Sequence, residues 1–262
     1  MRVTAVAILN TLLAALPCGP HCIVSPHPDD AALSMGGILM LLALSPAMPR
    51  RVLLTPFTRS IYAPGIPAES RTQEIVSVVR LQEDAAFASA VHAAYFPLDM
   101  PDASLRGYND NTELGEVMDT DRSPGQLVSC LRAVIPSRLG VVWCPLAIGG
   151  HVDHILARNG VLSTVSADVV IIYYEDLPYA AGFDEATIGA FAQRVHENLQ
   201  PLSIDIDSVW QAKLAGLRCY SSQLGKAELA AVEQAAVRRA IPPGKRAERI
   251  WIANGPIYVT LP

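Results

Sequence analysis

The chain has 262 residues, 51% of them hydrophobic and 17% charged, with a mean hydropathy of +0.28. That length and balance exclude a disulfide miniprotein and a disordered solvating chain. A formal net charge of −5 excludes a dedicated nucleic-acid binder, which needs a basic face.

Residues 3 to 20 carry no charge, and Val3 to Leu16 reads as a helix packed on a sheet rather than a secretion signal. Asn10 and Thr11 interrupt the apolar run, Leu16-Pro17 makes a poor cleavage site, and a core strand starts almost at once at Cys22. The run is shorter than the ~20 apolar residues of a membrane span, and no other segment resembles one. Cys18, Cys22, Cys130, Cys144 and Cys219 are odd in number and form no C-x-x-C pair. They read as reduced thiols of a cytoplasmic protein.

Short apolar runs predict strands at Cys22–Ser25, Val52–Thr55, Ala94–Pro97, Val141–Cys144 and Val169–Tyr174. Between and after them, helical patterns cover Ala32–Leu44, Glu69–Val91, Gln126–Ile135, Glu185–Glu197, Ser208–Tyr220 and Lys226–Ala240. Such alternation predicts an α/β fold, a single Rossmann-like domain over residues 1–262 with a mostly parallel sheet flanked by helices. Trp251–Ala253, Asn254-Gly255 and Ile257–Leu261 predict a C-terminal β-hairpin, since Asn-Gly favours a tight turn. The segments Tyr62–Pro67 and Gly107–Gly125 are loops.

In an open α/β sheet, ligands bind beyond the carboxyl ends of the strands. Two polar clusters fall there: Pro26-His27-Pro28-Asp29-Asp30 after the first strand, and Gly149-Gly150-His151-Val152-Asp153-His154 after Val141–Cys144. His27 and Asp30 are three residues apart, as are His151 and His154, so each pair shares one side of a helical turn. Two imidazoles and a carboxylate converging from separate loops form a three-ligand zinc site with a position open for water. Of the two adjacent aspartates, one would neutralise the metal and the other would take a proton from water. Taken singly, the first cluster also reads as a helix N-cap and the second as a packed helix face. Their joint presence at successive strand ends favours the site.

The pair His27-Pro-Asp-Asp30 and His151-Val-Asp-His154 resembles the PIG-L/LmbE family of zinc-dependent N-acetylglucosaminyl deacetylases. Arg80-Leu-Gln-Glu83 is similar to the family's Arg-x-x-Glu helix and Asp99-Met-Pro-Asp102 to its acidic loop. Tyr174-Glu-Asp-Leu-Pro-Tyr179 and Tyr220-Ser-Ser-Gln223 resemble further blocks. The resemblance implies one Zn2+ per chain on His27, Asp30 and His154, with Asp29 as general base and then acid. It further implies that a protonated His151, oriented by Asp153, stabilises the oxyanion, and that Arg80 and Asp102 contact the sugar. Arg80 with Asp84 also reads as an ordinary i,i+4 ion pair. Glu175, Asp176 and Tyr179 either rim the pocket or end the strand.

The family's usual Glu after the two aspartates is Ala31 here, a departure that bears on substrate identity more than on hydrolysis. The implied reaction removes the N-acetyl group from an N-acetylated amino sugar in antibiotic or cofactor biosynthesis. An amidase for a larger acyl group and a catalytically inactive sugar-binding homologue are the alternatives. The implied partner is a small-molecule amino-sugar conjugate, with no nucleic acid and no membrane; subunit number stays open, a homo-oligomer included.

Overall fold

The computed structural model describes residues 16, 19–45, 50–109, 112–135, 139–241 and 243–253. Seven strands join one sheet: β1 (His21–Val24), β2 (Arg51–Arg59), β3 (Ala94–Pro101), β4 (Val141–Pro145), β5 (Val170–Tyr174), β6 (Leu199–Asp205) and β7 (Ala247–Ala253). Their order is β3-β2-β1-β4-β5-β7-β6. The first five strands pair in parallel, and β7 runs antiparallel to both β5 and β6. Flanking helices are α1 (Asp30–Leu44), α2 (Gln73–Ala90), α3 (Ser123–Val134), α4 (Val152–Leu162), α5 (Glu185–Val195), α6 (Trp210–Leu217) and α7 (Lys226–Arg238). Every residue of β1 and β4 is buried, as expected for central parallel strands covered on both faces.

Within the described residues the predicted strands and helices are present, with shifted ends. The long helical run from Glu69 splits into a 3-10 turn at Ala68–Ser70 and α2, which Thr72 caps by accepting the Ile75 N–H. Strand β6 is an addition to the predicted elements. It carries Pro201 and lies at the sheet edge, where a missing N–H is tolerated. Of the predicted hairpin, Trp251–Ala253 belongs to β7, whose partners are β5 and β6. The Asn254-Gly255 turn and Ile257–Leu261 lie outside the described residues, as does the predicted Val3–Leu16 helix up to its last residue.

Helix α1 is buried over residues 30 to 42 and apolar on every side, the pattern of a helix inside the core. It breaks its hydrogen-bond ladder at Met35, where φ is −141° and ψ 21°. The groups freed there have partners. The Glu248 carboxylate accepts the Gly37 and Ile38 N–H groups at 2.9 and 2.7 Å, and Lys213 Nζ donates to the Leu33 carbonyl at 2.7 Å. Lys213 and Glu248 also pair with each other at 2.5 Å, both buried. This buried pair ties the mid-helix break to β7 and α6, leaving the N-terminal turn of α1 firmly placed. Cys22, Cys130, Cys144 and Cys219 are free thiols. Among the described residues no helix is long and apolar enough to cross a membrane.

Candidate active site

Strands β1 and β4 are neighbours, and the chain leaves them in opposite directions along the sheet: β1 leads to β2 on one side, while β4 leads to β5 on the other. A crevice opens beyond the carboxyl ends of two strands that diverge in this way. Both polar clusters feed into it. After β1, the Ser25 hydroxyl donates to the His27 carbonyl at 2.7 Å and accepts the Ala31 N–H at 3.0 Å, folding the turn onto itself. Asp29 adopts φ 110° and caps nothing with its side chain, so the N-cap reading of this aspartate fails. After β4, Gly149 adopts φ 91°, and a Cβ there would meet the Tyr179 side chain at 2.8 Å. Only glycine lets this loop pass so close to Tyr179. His151 then forms the N-cap of α4.

The donor atoms converge. Asp30 Oδ2 lies 3.2 Å from His27 Nδ1 and 3.3 Å from His154 Nε2. A tetrahedral ion with bonds of about 2.0–2.1 Å separates its ligands by about 3.3–3.4 Å, so these spacings fit a shared cation. His154 is fully buried, and its Nε2 has no hydrogen-bond partner. Its Nδ1 meets Asp176 Oδ1 at 2.6 Å, with Asp176 also accepting the Ile148 N–H. A carboxylate behind a histidine in this way fixes the ring and frees the other nitrogen for a metal. His27, His151 and His154 each offer a ligand atom within 4.8 Å of the others.

The electrostatics match a site built to receive positive charge. Burial opposes charge on His27, yet the carboxylates of Asp153 and Asp30 outweigh it and lift its pKa to about 9. His154 is likewise raised, because Asp30 and Asp176 overcome its burial. Asp30 is held well below the usual carboxylate range by His154 and His27 despite its burial. Burial, helped by the adjacent Asp30 carboxylate, pushes Asp29 up to about 7 against the pull of Arg80 and His27.

Two local expectations need correction. The Asp153 carboxylate does not reach His151. It meets His27 Nε2 at 2.8 Å, accepts the Ala103 N–H at 2.9 Å and pairs with Arg106 Nη1 at 2.6 Å. Only the Asp153 backbone N–H touches His151, donating to its Nδ1 at 3.2 Å. That contact leaves the ring proton of neutral His151 on Nε2, facing the cavity. Burial, then the charges of His27 and His154, push the His151 pKa down to about 3, which favours a neutral ring over the protonated one expected.

Arg80 and Asp102 are both in the site. The Arg80 guanidinium lies 3.9 Å from Asp29 and 3.7 Å from Asp102 and donates to the Ser60 hydroxyl and the Pro28 carbonyl. Asp84, its alternative partner, instead accepts from Thr55 and Tyr220. Glu83 accepts the Ser222 N–H and hydroxyl, anchoring the segment that carries Gln223. Asp99 is 81% exposed at its side chain and faces Arg59, away from the site. Glu175 binds Arg239, Arg249 and Trp251 on the far side of β5 and takes no part. Tyr179 stands edge-on to His154, with ring centroids 5.6 Å apart. Ala31 is buried in the core and does not itself line the cavity.

The cavity measures about 440 Å³. Both predicted loops contribute, through Tyr62 from the first and Tyr108, Asn109 and Glu113 from the second. Arg106 belongs to none of the sequence motifs. It bridges Asp153 and Asp121 and lies over the Phe57 and Tyr108 rings at 5.1 and 5.3 Å. An arginine in a loop carries no sequence signal for such a contact, since Asp153 is distant in the chain.

The sequence profile of the PIG-L family, described as GlcNAc-PI de-N-acetylase, matches residues 22–165. A 2'-N-acetylparomamine deacetylase of Streptomyces fradiae is 36% identical over 217 residues, which cover 82% of this chain and 77% of that protein. Among solved structures, the zinc-inhibited form of a teicoplanin deacetylase superposes with a TM-score of 0.64 at 22% identity, covering 88% of this chain and 97% of that one. An N,N'-diacetylchitobiose deacetylase of Pyrococcus horikoshii superposes with a TM-score of 0.61 at 18% identity, covering 93% of this chain and 86% of its own. At these identities the two structures speak for a shared fold.

Proposed function

As the chain belongs to the PIG-L family, we propose that it is a metal-dependent hydrolase that removes the acetyl group from an N-acetylated amino sugar during secondary-metabolite biosynthesis. Residues 1–262 act as one deacetylase domain, holding one zinc ion on His27, Asp30 and His154. The observation that carries this reading is the meeting of Asp30 Oδ2 with one nitrogen of each histidine at 3.2 and 3.3 Å, around a buried His154 Nε2 with no hydrogen bond. Zinc would supply Lewis acidity there, acidifying water and polarising the acetamide carbonyl.

The chain's own groups account for the rest. Asp29 accepts a proton from the attacking water as its oxygen bonds to the carbonyl carbon. His151 Nε2–H donates to the developing oxyanion as a neutral imidazole. Asp29 then delivers its proton to the amide nitrogen, the C–N bond breaks, and acetate and a free amine leave. Asp153 fixes His27, and Arg80 holds Asp29 and Asp102 in place while facing the sugar.

A second reading makes His151 the third ligand in place of Asp30, because the three imidazoles also cluster. His151→Ala separates the two readings: zinc is retained if Asp30 is the ligand and lost if His151 is. Cytoplasmic residence is part of the same proposal, supported by the free thiols. The test of function is acetate release from N-acetylated amino sugars, with and without chelator, alongside zinc analysis of the purified protein. Release that chelator does not affect would overturn the metal-dependent reading, and release of a longer acid only would replace deacetylation by a broader amidase activity.

A further inference from the structure

Three polar side chains of α2, Arg80, Glu83 and Asp84, are buried and spaced to share one face of the helix. Arg80 reaches the floor of the cavity, and Asp84 accepts the Tyr220 hydroxyl at 2.7 Å. Glu83 turns to the two residues that follow Tyr220. One of its oxygens accepts the Ser222 N–H at 2.8 Å and the Ser221 hydroxyl at 3.3 Å, and the other accepts the Ser222 hydroxyl at 2.6 Å. The carboxylate is buried, so these donors stand in for its hydration.

The segment fixed in this way holds a loop in its turn. The Gly65 N–H donates to the Ser222 carbonyl at 2.9 Å. The Gln223 side chain donates to the Tyr62 carbonyl at 3.1 Å and to the Ser222 hydroxyl at 3.0 Å. At Gly65 the two backbones nearly touch: a Cβ there would lie 2.3 Å from the Ser221 carbonyl oxygen and 3.1 Å from the Ser222 Cα. Any side chain would push the segments apart. Tyr62, Gln223 and Leu224 all line the cavity. One of its walls is thus made of two segments, joined by a bond between residues 161 positions apart. None of these contacts involves a group proposed to bind metal or to move a proton.

We propose that Glu83 is a positioning residue for substrate: through Ser222 and Gln223 it holds the Tyr62 loop as a preformed wall of the acetamide pocket. Preforming the wall places its ordering cost in folding rather than in binding. Losing Glu83 therefore weakens substrate binding and leaves the reacting groups where they are. The kinetic consequence rests on the deacetylase reading; the placement of the wall does not.

The test uses the zinc-loaded protein and the variants Glu83→Ala, Glu83→Gln and Gly65→Ala. Hydrogen exchange read by mass spectrometry follows the wall without substrate. Glu83→Ala should speed exchange in peptides covering residues 61–66 and 221–224 by about tenfold or more, as expected on losing hydrogen bonds to a charged group. Exchange in β1 and β4 and the zinc content should not change. Glu83→Gln should recover most of the protection, because its carbonyl accepts the Ser222 N–H and its amide donates to the Ser222 hydroxyl. Gly65→Ala should loosen the same peptides, and combining it with Glu83→Ala should add little, since both act at one junction. Turnover is measured on N-acetylglucosamine and N,N'-diacetylchitobiose. Glu83→Ala and Gly65→Ala should each raise KM by about tenfold while kcat stays within about threefold of the parent. A merely structural Glu83 would instead speed exchange across the sheet and lower kcat with the folded fraction. That pattern, unchanged exchange in Glu83→Ala, or a loosened wall with KM unmoved would overturn the inference and leave deacetylation standing. Acetate release from neither sugar by the parent would count against the deacetylase reading, and the exchange result would still decide whether Glu83 holds the wall.

Discussion

Replacing Asp176 by Asn should weaken zinc binding without touching any proposed ligand. Asp176 Oδ1 receives the Nδ1–H of His154 at 2.6 Å, both side chains are inaccessible to solvent, and the other Asp176 oxygen accepts the Ile148 N–H at 2.9 Å. Asparagine fills the same space and offers one carbonyl oxygen in place of two charged ones, so one of these two donors loses a charge-assisted bond. The negative charge that makes His154 Nε2 a stronger donor to metal is also lost. Loss of such a carboxylate behind a histidine ligand costs about 10- to 100-fold in metal affinity, which is about 1.4–2.8 kcal/mol. Competition with a chromophoric chelator measures the change, and near-ultraviolet circular dichroism of the metal-free protein checks that the fold persists. A zinc Kd within about threefold of the parent, with the fold intact, would refute the claim that Asp176 acts on the metal through His154.

Asp30→Asn should lower zinc affinity, whereas Asp29→Asn should keep the metal and lose on the order of 10² to 10⁴ in rate; elemental analysis beside kcat would show the roles exchanged if the losses were reversed. His151→Ala should retain zinc and lose about 10² to 10³ in kcat, and an unchanged kcat at saturating metal would make His151 structural. In the metal-free protein the Asp153 and Asp30 carboxylates lift the His27 pKa to about 9 despite its burial, and His154 is raised as well, so zinc binding should release protons at neutral pH. Affinity should therefore rise with pH up to about 9, and calorimetry in buffers of different ionisation enthalpy should count the protons; none released would contradict the charged histidines. By the same linkage His27 stabilises the metal-free fold fully below its unperturbed 6.5, and that contribution is lost as pH climbs through about 9. Lys213→Met should destabilise by about 3–5 kcal/mol in urea unfolding, because it strands the buried Glu248 carboxylate; Lys213→Met with Glu248→Gln should recover part of the loss.

The sequence is most legible where local spacing and strand ends coincide. His27, Asp30, His151 and His154 lie within two short segments, and the sheet brings those segments together because β1 and β4 are adjacent. Asp153 shows the limit. Its position two residues after His151 points to that ring, yet an N-capping histidine uses the backbone N–H, and the carboxylate turns to His27, 126 positions away. Asp176 visibly follows a strand, but its contact with His154 depends on β5 lying beside β4, which spacing does not encode. Ala31 reads as a substrate determinant from its neighbours in the chain, whereas the first turn of α1 carries it inward while Asp29 stays at the cavity. Strand β6 escapes a pattern reading because an edge strand with a proline lacks the apolar alternation that marks its interior counterparts.

Asp29 occupies a backbone conformation, φ 110° and ψ −34°, that side-chain-bearing residues avoid. Holding a non-glycine residue there costs on the order of 1–3 kcal/mol. The substitution Asp29→Gly would release that cost while deleting the group proposed to move the proton. A laboratory selection for thermostability alone, with no demand for turnover, would therefore be drawn to this codon, and the variants that emerged as the hardiest would be the ones that had stopped working.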